Sequence, residues 1–361
     1  MKRILVLEPY DGGSHARFLD GLATHLPAMR FHRLGLPARG WKWRMRWAAL
    51  DLARRSEELF AAGIRFDAVL ASTFLNLAEF RALAPAEIAA LPAVVYFHEN
   101  QLTYPNQIND PRDLHFGITN VISGLAARRL VFNTQYNRDS FLDAIPDLIR
   151  KAPDMDLSGI RDTLLNRSRV MPVPIDMPST TAAPLRDEPP TVLWNHRWEH
   201  DKNPDEFFET LFSMADDGLS FRVAVAGQEF RHRPPIFDVA RERLRDRIVQ
   251  WGRMESRDDY LQLLGQSAIC VSTALHEFQG LSVLEAAAAG CKLVLPDRLS
   301  YPELFPDLPR YRNQPELRTM LEECLREPST GEASLVARAA EFSWDRWAGA
   351  YESFFTELTT T

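Results

Sequence analysis

Ala268-Ile269-Cys270-Val271-Ser272 runs through Thr273-Ala274-Leu275-His276-Glu277-Phe278-Gln279-Gly280 into Leu281-Ser282-Val283-Leu284-Glu285-Ala286-Ala287-Ala288-Ala289. A short continuous apolar run, a polar loop and a helical pattern together read as one βα unit of a parallel sheet buried on both faces. The strand is predicted to end near Thr273 and the helix to open near Gly280. Glu277 then sits at the carboxyl edge of the sheet, where open parallel sheets bind ligands. Gly280 permits close backbone approach, and the first amides of the helix favour a phosphate. A carboxylate on each side of those amides, Glu277 and Glu285, can grip hydroxyl groups. The plain alternative is a solvated loop residue and a helix-charge cap.

The same unit repeats in both directions. Strands are predicted at Val192–Asn195, Arg222–Ala226, Ile248–Trp251 and Lys292–Leu295 in the second half. In the first half they fall at Arg3–Leu7, Ala68–Ala71, Ala93–Phe97, Leu130–Asn133 and Val170–Val173, with helical patterns such as Ser14–Leu26 and Ala48–Ala62 between them. Strand–helix alternation of this kind gives an α/β fold with two Rossmann-like domains facing across a cleft. Residues 178–190, rich in proline and threonine, read as a linker. The domains are predicted at 1–177, for the acceptor, and 191–341, for the donor. A helix over 342–361, with Trp344, Trp347, Tyr351, Phe354 and Phe355, is expected to pack back on the first domain.

At 361 residues, 45% hydrophobic and 25% charged, the chain has the composition of a globular protein. The apolar run Ile4–Leu7 is broken by Glu8, Pro9 and Asp11, too soon for a secretory signal, so a cytoplasmic location is expected. Cys270, Cys291 and Cys324 are scattered and suggest neither disulfides nor zinc. The net charge of −7 argues against a nucleic-acid protein, but residues 1–66 carry twelve Lys and Arg against six Asp and Glu. Within that basic end, Trp41-Lys42-Trp43-Arg44-Met45-Arg46-Trp47 interleaves three cations with three indoles. Indoles can stack on unpaired bases while cations hold phosphates. A helix packing its tryptophans inward and extending its cations to water is the plain alternative.

Three further clusters follow strands. Arg197 and Lys202, in Asn195-His196-Arg197-Trp198-Glu199-His200-Asp201-Lys202, can bracket a diphosphate, although two cations beside a helix start would also read as ordinary surface. Gly12, Gly13 and Ser14, in Glu8-Pro9-Tyr10-Asp11-Gly12-Gly13-Ser14-His15, form an anion-receptive turn or simply a tight βα turn. His98, Glu99, Asn100 and Gln101 follow Tyr96-Phe97. A lone histidine there would be an ordinary buried one, so the conjunction of four clusters carries the weight. No set of residues shows metal-ligand spacing, and Asp154-Met155-Asp156 is read as solvated surface.

Together, Arg197 with Lys202 and Glu277 with Glu285 resemble the donor site of the large retaining GT-B glycosyltransferase family that includes sucrose synthase and phosphatidylinositol mannosyltransferase. The resemblance implies that Arg197 and Lys202 neutralise the donor diphosphate, that Glu277 contacts the sugar and Glu285 the ribose. Phe278, Gly280, Leu281 and Ser282 join the donor set. Gly12 and Gly13 match the glycine loop, where the family's usual downstream Arg is His15 here, and His98 matches the histidine beside the reacting sugar. LEPYDGGSH, KWRMR, YFHENQLTYP, NTQYNRDSF, NHRWEHDKNP and FQGLSVLEA further resemble the tRNA-queuosine α-mannosyltransferase group. That resemblance implies GDP-mannose as donor and the cyclopentenediol of queuosine in tRNA-Asp as acceptor. The acceptor contacts are expected at Trp41, Lys42, Trp43, Arg44, Arg46, Asn100 and Gln101, with no cofactor, no metal, no membrane and a monomer. Glu99 is an alternative base or nucleophile.

Two rivals of other kinds are a nucleotide-sugar 2-epimerase and a non-catalytic nucleotide-sugar binder. The second carboxylate, Glu285, and the basic aromatic stretch fit the first poorly. Intact Arg197, Lys202, Glu277 and Glu285 speak against the second. A transferase acting on a lipid or small molecule also survives, because Trp41, Trp43, Met45 and Trp47 could face a membrane.

Overall fold

The computed structural model describes residues 1–104, 114–178, 189–230, 233–326 and 333–360. The chain divides into two compact units, Met1–Pro174 with Trp344–Thr361, and Ile175–Ser343. Most of the expected linker, 179–188, lies outside the described residues. The first unit ends before 177 because Ile175 already packs in the second unit's core and bridges Ser343.

The first unit holds a parallel sheet of β1 (Lys2–Asp11), β2 (Met29–Pro37), β3 (Ala68–Ser72), β4 (Ala93–Phe97), β5 (Arg129–Phe132) and β6 (Ser168–Val170). Their order is β2-β1-β3-β4-β5-β6. The apolar strands Ile4–Leu7 and Ala93–Phe97 are buried throughout because helices cover both faces of the sheet. The strand β2 was not expected, and the predicted Val170–Val173 lies further along than the observed Ser168–Val170. The helix predicted at Ala48–Ala62 starts earlier, at Trp41, and runs to Ala61 from an N-cap Gly40 with φ +60°.

The last helix, Trp344–Thr359, completes this unit. Trp344 lies so close to Gly21 that a Cβ there would sit 2.2 Å from the indole. Tyr351 donates its hydroxyl proton to Pro172 O at 2.8 Å. Four of the five aromatics in this segment, Trp344, Tyr351, Phe354 and Phe355, are buried, so they pack rather than bind.

The second unit holds β7 (Thr191–Trp194), β8 (Arg222–Ala226), β9 (Ile248–Gly252), β10 (Ile269–Val271) and β11 (Lys292–Val294), in the order β11-β10-β7-β8-β9. All its pairings are parallel. Leu193, Cys270, Val283 and Leu293 build the core on one face of this sheet, and Trp194, Phe208, Val223 and Phe237 the core on the other.

Strand order decides where the polar loops meet. Each sheet reverses direction beside its first strand, between β1 and β3 and between β7 and β10. Loops that diverge to opposite faces at such a switch leave an opening at the carboxyl edge. The residues after β1 and β3 therefore come together, as do those after β7 and β10.

Candidate active site

In the second unit, the segment after β7 meets the one after β10. Lys202 ends a short 3-10 turn, His200–Lys202, followed by Asn203 at φ 50° and Pro204 as the first helical residue. That turn drives the Lys202 side chain inward. Its Nζ donates to His276 O at 2.6 Å and to Glu277 Oε2 at 3.3 Å, and lies 3.2 Å from Asp201 Oδ2. Only 7% of the side chain is exposed, so Lys202 is a buried cation rather than a surface one.

Burial opposes ionisation of Glu277, but Lys202, foremost among its neighbours, together with His196 and His276 more than offsets it and holds the pKa at about 2. Glu277 is therefore a permanent carboxylate at neutral pH, one-fifth exposed. It can only accept hydrogen bonds, which suits it to sugar hydroxyls. His196 and His276 flank it. Burial first and Lys202 second push both down to about 4, so both are neutral. Arg197 points outward, 45% exposed, with Glu199 Oε2 at 3.1 Å.

Gly280 caps the helix Leu281–Ala288 in the left-handed region at φ +79°, and a Cβ there would meet Tyr301 at 3.2 Å. Phe278 is buried edge-on against His276, whereas Leu281 and Ser282 at the helix start keep partial exposure. Asn195 braces that start, donating to Ser282 O at 2.9 Å and to Tyr260 Oη at 3.0 Å. Glu285 is only 3% exposed and accepts from Arg257 at 2.6 Å. Arg257 lies on a different helix, Arg257–Gln266, and no motif in the sequence points to it.

In the first unit, Gly12 is required by close packing and Gly13 by its backbone conformation. A Cβ at Gly12 would sit 2.5 Å from Ala38, and Gly13 has φ +55°. Ser14 is exposed at the helix start, whereas His15 turns inward. His15 Nδ1 lies 3.1 Å from Glu8 Oε2, and Nε2 lies 3.3 Å from Glu99 Oε2. His98 stacks on the His15 ring at 3.9 Å between centroids. Ligand atoms of Glu8, His15 and His98 all lie within 4.8 Å of one another. No metal-ligand spacing was visible in the sequence, because the strand ends bring together residues far apart in the chain.

Asn100 does not face an acceptor. It is wholly buried and holds its own turn together. Its Oδ1 accepts from the amides of Leu102 and Thr103, and its Nδ2 donates to Asn137 Oδ1 and Ser140 Oγ. Gln101 is half-buried and its amide donates to Asn120 Oδ1. Glu8, Ser72 and Thr73 join the cluster without having been expected.

The basic aromatic stretch forms the first turns of the helix Trp41–Ala61 and splits by face. Met45 is buried beside Phe74 and Phe116, and Trp41 packs on Phe116 at 5.0 Å. Met45 and much of Trp41 are thus withdrawn from any membrane-facing surface. Trp43 and Trp47 are 70% and 61% exposed. Lys42 and Arg46 lie 5.9 and 5.6 Å from the Phe116 ring, and Arg44 Nη2 donates to Pro37 O at 3.2 Å. No acidic residue occupies this first turn. Cations and helix dipole therefore add to a positive field there.

Residues 180–308 match the family described as glycosyl transferases group 1. The structure superposes on Anabaena HepE in complex with UDP with a TM-score of 0.69 at 14% identity, covering 99% of this chain and all of that one. It superposes on sucrose-phosphate synthase from Thermosynechococcus elongatus with a TM-score of 0.72 at 14% identity, covering 99% of both chains. Two parallel-sheet units of this kind, with the group 1 match, make the chain a glycosyltransferase of the GT-B fold. Residues 3–175 match the family described as tRNA-queuosine alpha-mannosyltransferase N-terminal. The tRNA-queuosine alpha-mannosyltransferase of Drosophila melanogaster is 34% identical over 355 residues, covering 96% of this chain and 93% of the relative. The chain belongs to the tRNA-queuosine alpha-mannosyltransferase family.

Proposed function

We propose that the protein transfers mannose from GDP-mannose to the cyclopentenediol of queuosine in the anticodon loop of tRNA-Asp, with retention at the anomeric carbon. The reaction takes place in the cytoplasm and needs no metal ion. The similarity over 96% of the chain to a relative named for this reaction carries the reading of substrate. The second-unit site supports the donor assignment. The helix start at Gly280–Ser282 offers amides to the diphosphate, and exposed Arg197 adds a forked cation. The permanent carboxylate of Glu277 takes the sugar hydroxyls, and Glu285, steadied by Arg257, takes the ribose.

Transfer proceeds on one face of the sugar. The bond from the anomeric carbon to the diphosphate oxygen breaks as the acceptor hydroxyl oxygen bonds to the same carbon. The hydroxyl proton passes to the departing diphosphate oxygen. Protein groups position the reactants and stabilise the leaving charge. His98 and Glu99 serve the sugar and acceptor side. Trp43 and Trp47, exposed beside Lys42, Arg44 and Arg46, suit splayed anticodon-loop bases and their phosphates.

The deciding experiment incubates the protein with GDP-mannose and queuosine-containing tRNA, then weighs the digested nucleosides. The expected result is one hexose added to queuosine. No mass increase on queuosine, or transfer to a lipid extract alone, defeats the reading.

A further inference from the structure

His15 is buried in the first unit with both ring nitrogens engaged. Its two ring nitrogens face two carboxylates, Glu8 Oε2 at 3.1 Å and Glu99 Oε2 at 3.3 Å. A neutral imidazole carries one N–H and could satisfy only one of them; a doubly protonated ring satisfies both. Each carboxylate is also held from its far side. Glu8 Oε1 accepts from Ser72 Oγ at 2.8 Å and from the Tyr10 amide at 2.9 Å, and Glu99 Oε1 accepts from Thr73 Oγ1 at 3.2 Å. The row Glu8–His15–Glu99 is graded in exposure. Glu8 is 3% exposed, His15 5% and Glu99 16%, so Glu99 is the end that a substrate can reach.

We propose that His15 is a positioning residue of the transfer reaction, an imidazolium clamped between Glu8 and Glu99 that fixes the Glu99 carboxylate to accept a hydrogen bond from a substrate hydroxyl. The substrate's identity rests on the reading given under Proposed function; the clamp itself does not. With one oxygen bound to Thr73 and the other to His15, Glu99 cannot rotate, and its remaining lone pairs have fixed directions. His98, stacked on the charged ring, is kept neutral beside it.

The electrostatics agree with this geometry. Burial disfavours charge on His15, but Glu8 and then Glu99 overcome it and raise the pKa to about 10. Burial and the His15 charge push His98 far down. The groups that face His15 are Glu8 from β1 and Glu99 and His98 from the segment after β4, with the rings of Tyr10 and Phe74 closing the sides. The Arg33 guanidinium, on β2, also interacts with Glu8.

The test uses the full chain with ¹⁵N-labelled histidine. The expected spectrum shows one ring doubly protonated from pH 6 to pH 9, lost in His15→Gln and titrating lower in Glu99→Gln. In mannosyl transfer, His15→Gln is expected to lower kcat by about a hundredfold, the scale set by misplacing a reacting group. KM for GDP-mannose should stay within about twofold, since the contacts proposed for its diphosphate and ribose, at Arg197, the Gly280–Ser282 helix start and Glu285, are untouched. His15→Arg, which restores a cation able to donate to both carboxylates, should recover part of the loss. A singly protonated His15 at pH 7 overturns the proposal, even if His15→Gln fails to fold. So does an unchanged kcat in a folded His15→Gln. A stoichiometric divalent metal bound through His15 also overturns it, because a coordinated nitrogen cannot keep its proton. If the unaltered protein transfers no mannose to queuosine, the functional reading fails while the spectrum still decides the clamp.

Discussion

His15 and His276 occupy comparable places, each just past a strand at the carboxyl edge of a parallel sheet, and each is about 95% withdrawn from water. Their charge states are opposite. His15 lies between two carboxylates and is held protonated, with a pKa near 10; His276, like His196, lies against Lys202 and is held neutral, with a pKa near 4. Burial opposes charge in both, so the sign of the nearest fixed charge decides the outcome. The first unit thus buries one cation between anions, and the second buries one anionic pair around a lysine.

The largest effect expected from breaking this contrast is on the second unit. Lys202→Ala removes a buried cation and leaves Glu277 and Asp201 facing each other. Stability should fall by about 3–5 kcal/mol, the usual cost of leaving a buried charge without its partner, as measured by urea unfolding. A variant as stable as the parent would mean that Lys202 is not the keystone of this cluster. Arg197→Ala is the control, since that side chain is 45% exposed. It should leave unfolding nearly unchanged while lowering single-turnover transfer about a hundredfold, or roughly 3 kcal/mol of lost leaving-group stabilisation.

The pH dependence of melting sharpens the same comparison. His15 gains protons on folding, because its pKa rises from 6.5 to about 10. Its stabilisation is complete below about pH 6.5 and disappears as pH rises through about 10. His196 and His276 have folded values near 4, so their contribution is present above 6.5 and lost as pH falls toward 4. The Glu277 contribution is present above about 4.5 and lost as pH falls toward 2. A melting profile should therefore decline on both sides of about pH 6.5. His15→Gln should flatten the alkaline arm alone, and an unaltered alkaline arm in that variant would refute the assignment.

A smaller effect is expected at the basic helix. Reversing Arg44 and Arg46 to Glu should weaken tRNA binding and reduce the slope of log affinity against log salt by about one to two, as fewer counterions are released. GDP-mannose affinity, measured by calorimetry, should not change. An unaltered salt slope would place the acceptor tRNA elsewhere. The smallest effect expected is that of a chelator. Turnover should persist in EDTA, since Arg197 and the helix amides at Gly280 supply the positive field at the diphosphate. Loss of activity restored by manganese or magnesium would overturn this.

How far the sequence was legible follows from burial. The central strands β7, β8 and β10 and the helix after Gly280 were readable because almost fully buried strands are continuous apolar runs. The strand β2 escaped because it is an edge strand: only Met29 and Leu34 are buried in MRFHRLGLP, and His32 and Arg33 interrupt the run. Asn100 was misread for the converse reason. Its place after a strand suggested a ligand contact, but its oxygen is taken up by its own turn and its nitrogen by Asn137 and Ser140 of the helix Gln135–Ile149, a saturation that no motif displays. Arg257 carried no signal, because its partner Glu285 sits 28 residues away on a neighbouring helix.

By itself, the sequence determined the elements and the chemical groups set at their ends, since both follow from local apolar runs, glycines and helix starts. Only the tertiary structure decided which of those groups are charged and which are exposed. Glu99 reaches His15 across 84 residues, and Glu277 reaches Lys202 across 75. A side chain's charge state depends on how much water it loses and whose charge replaces that water. Both are fixed by strand order rather than by neighbours in the chain.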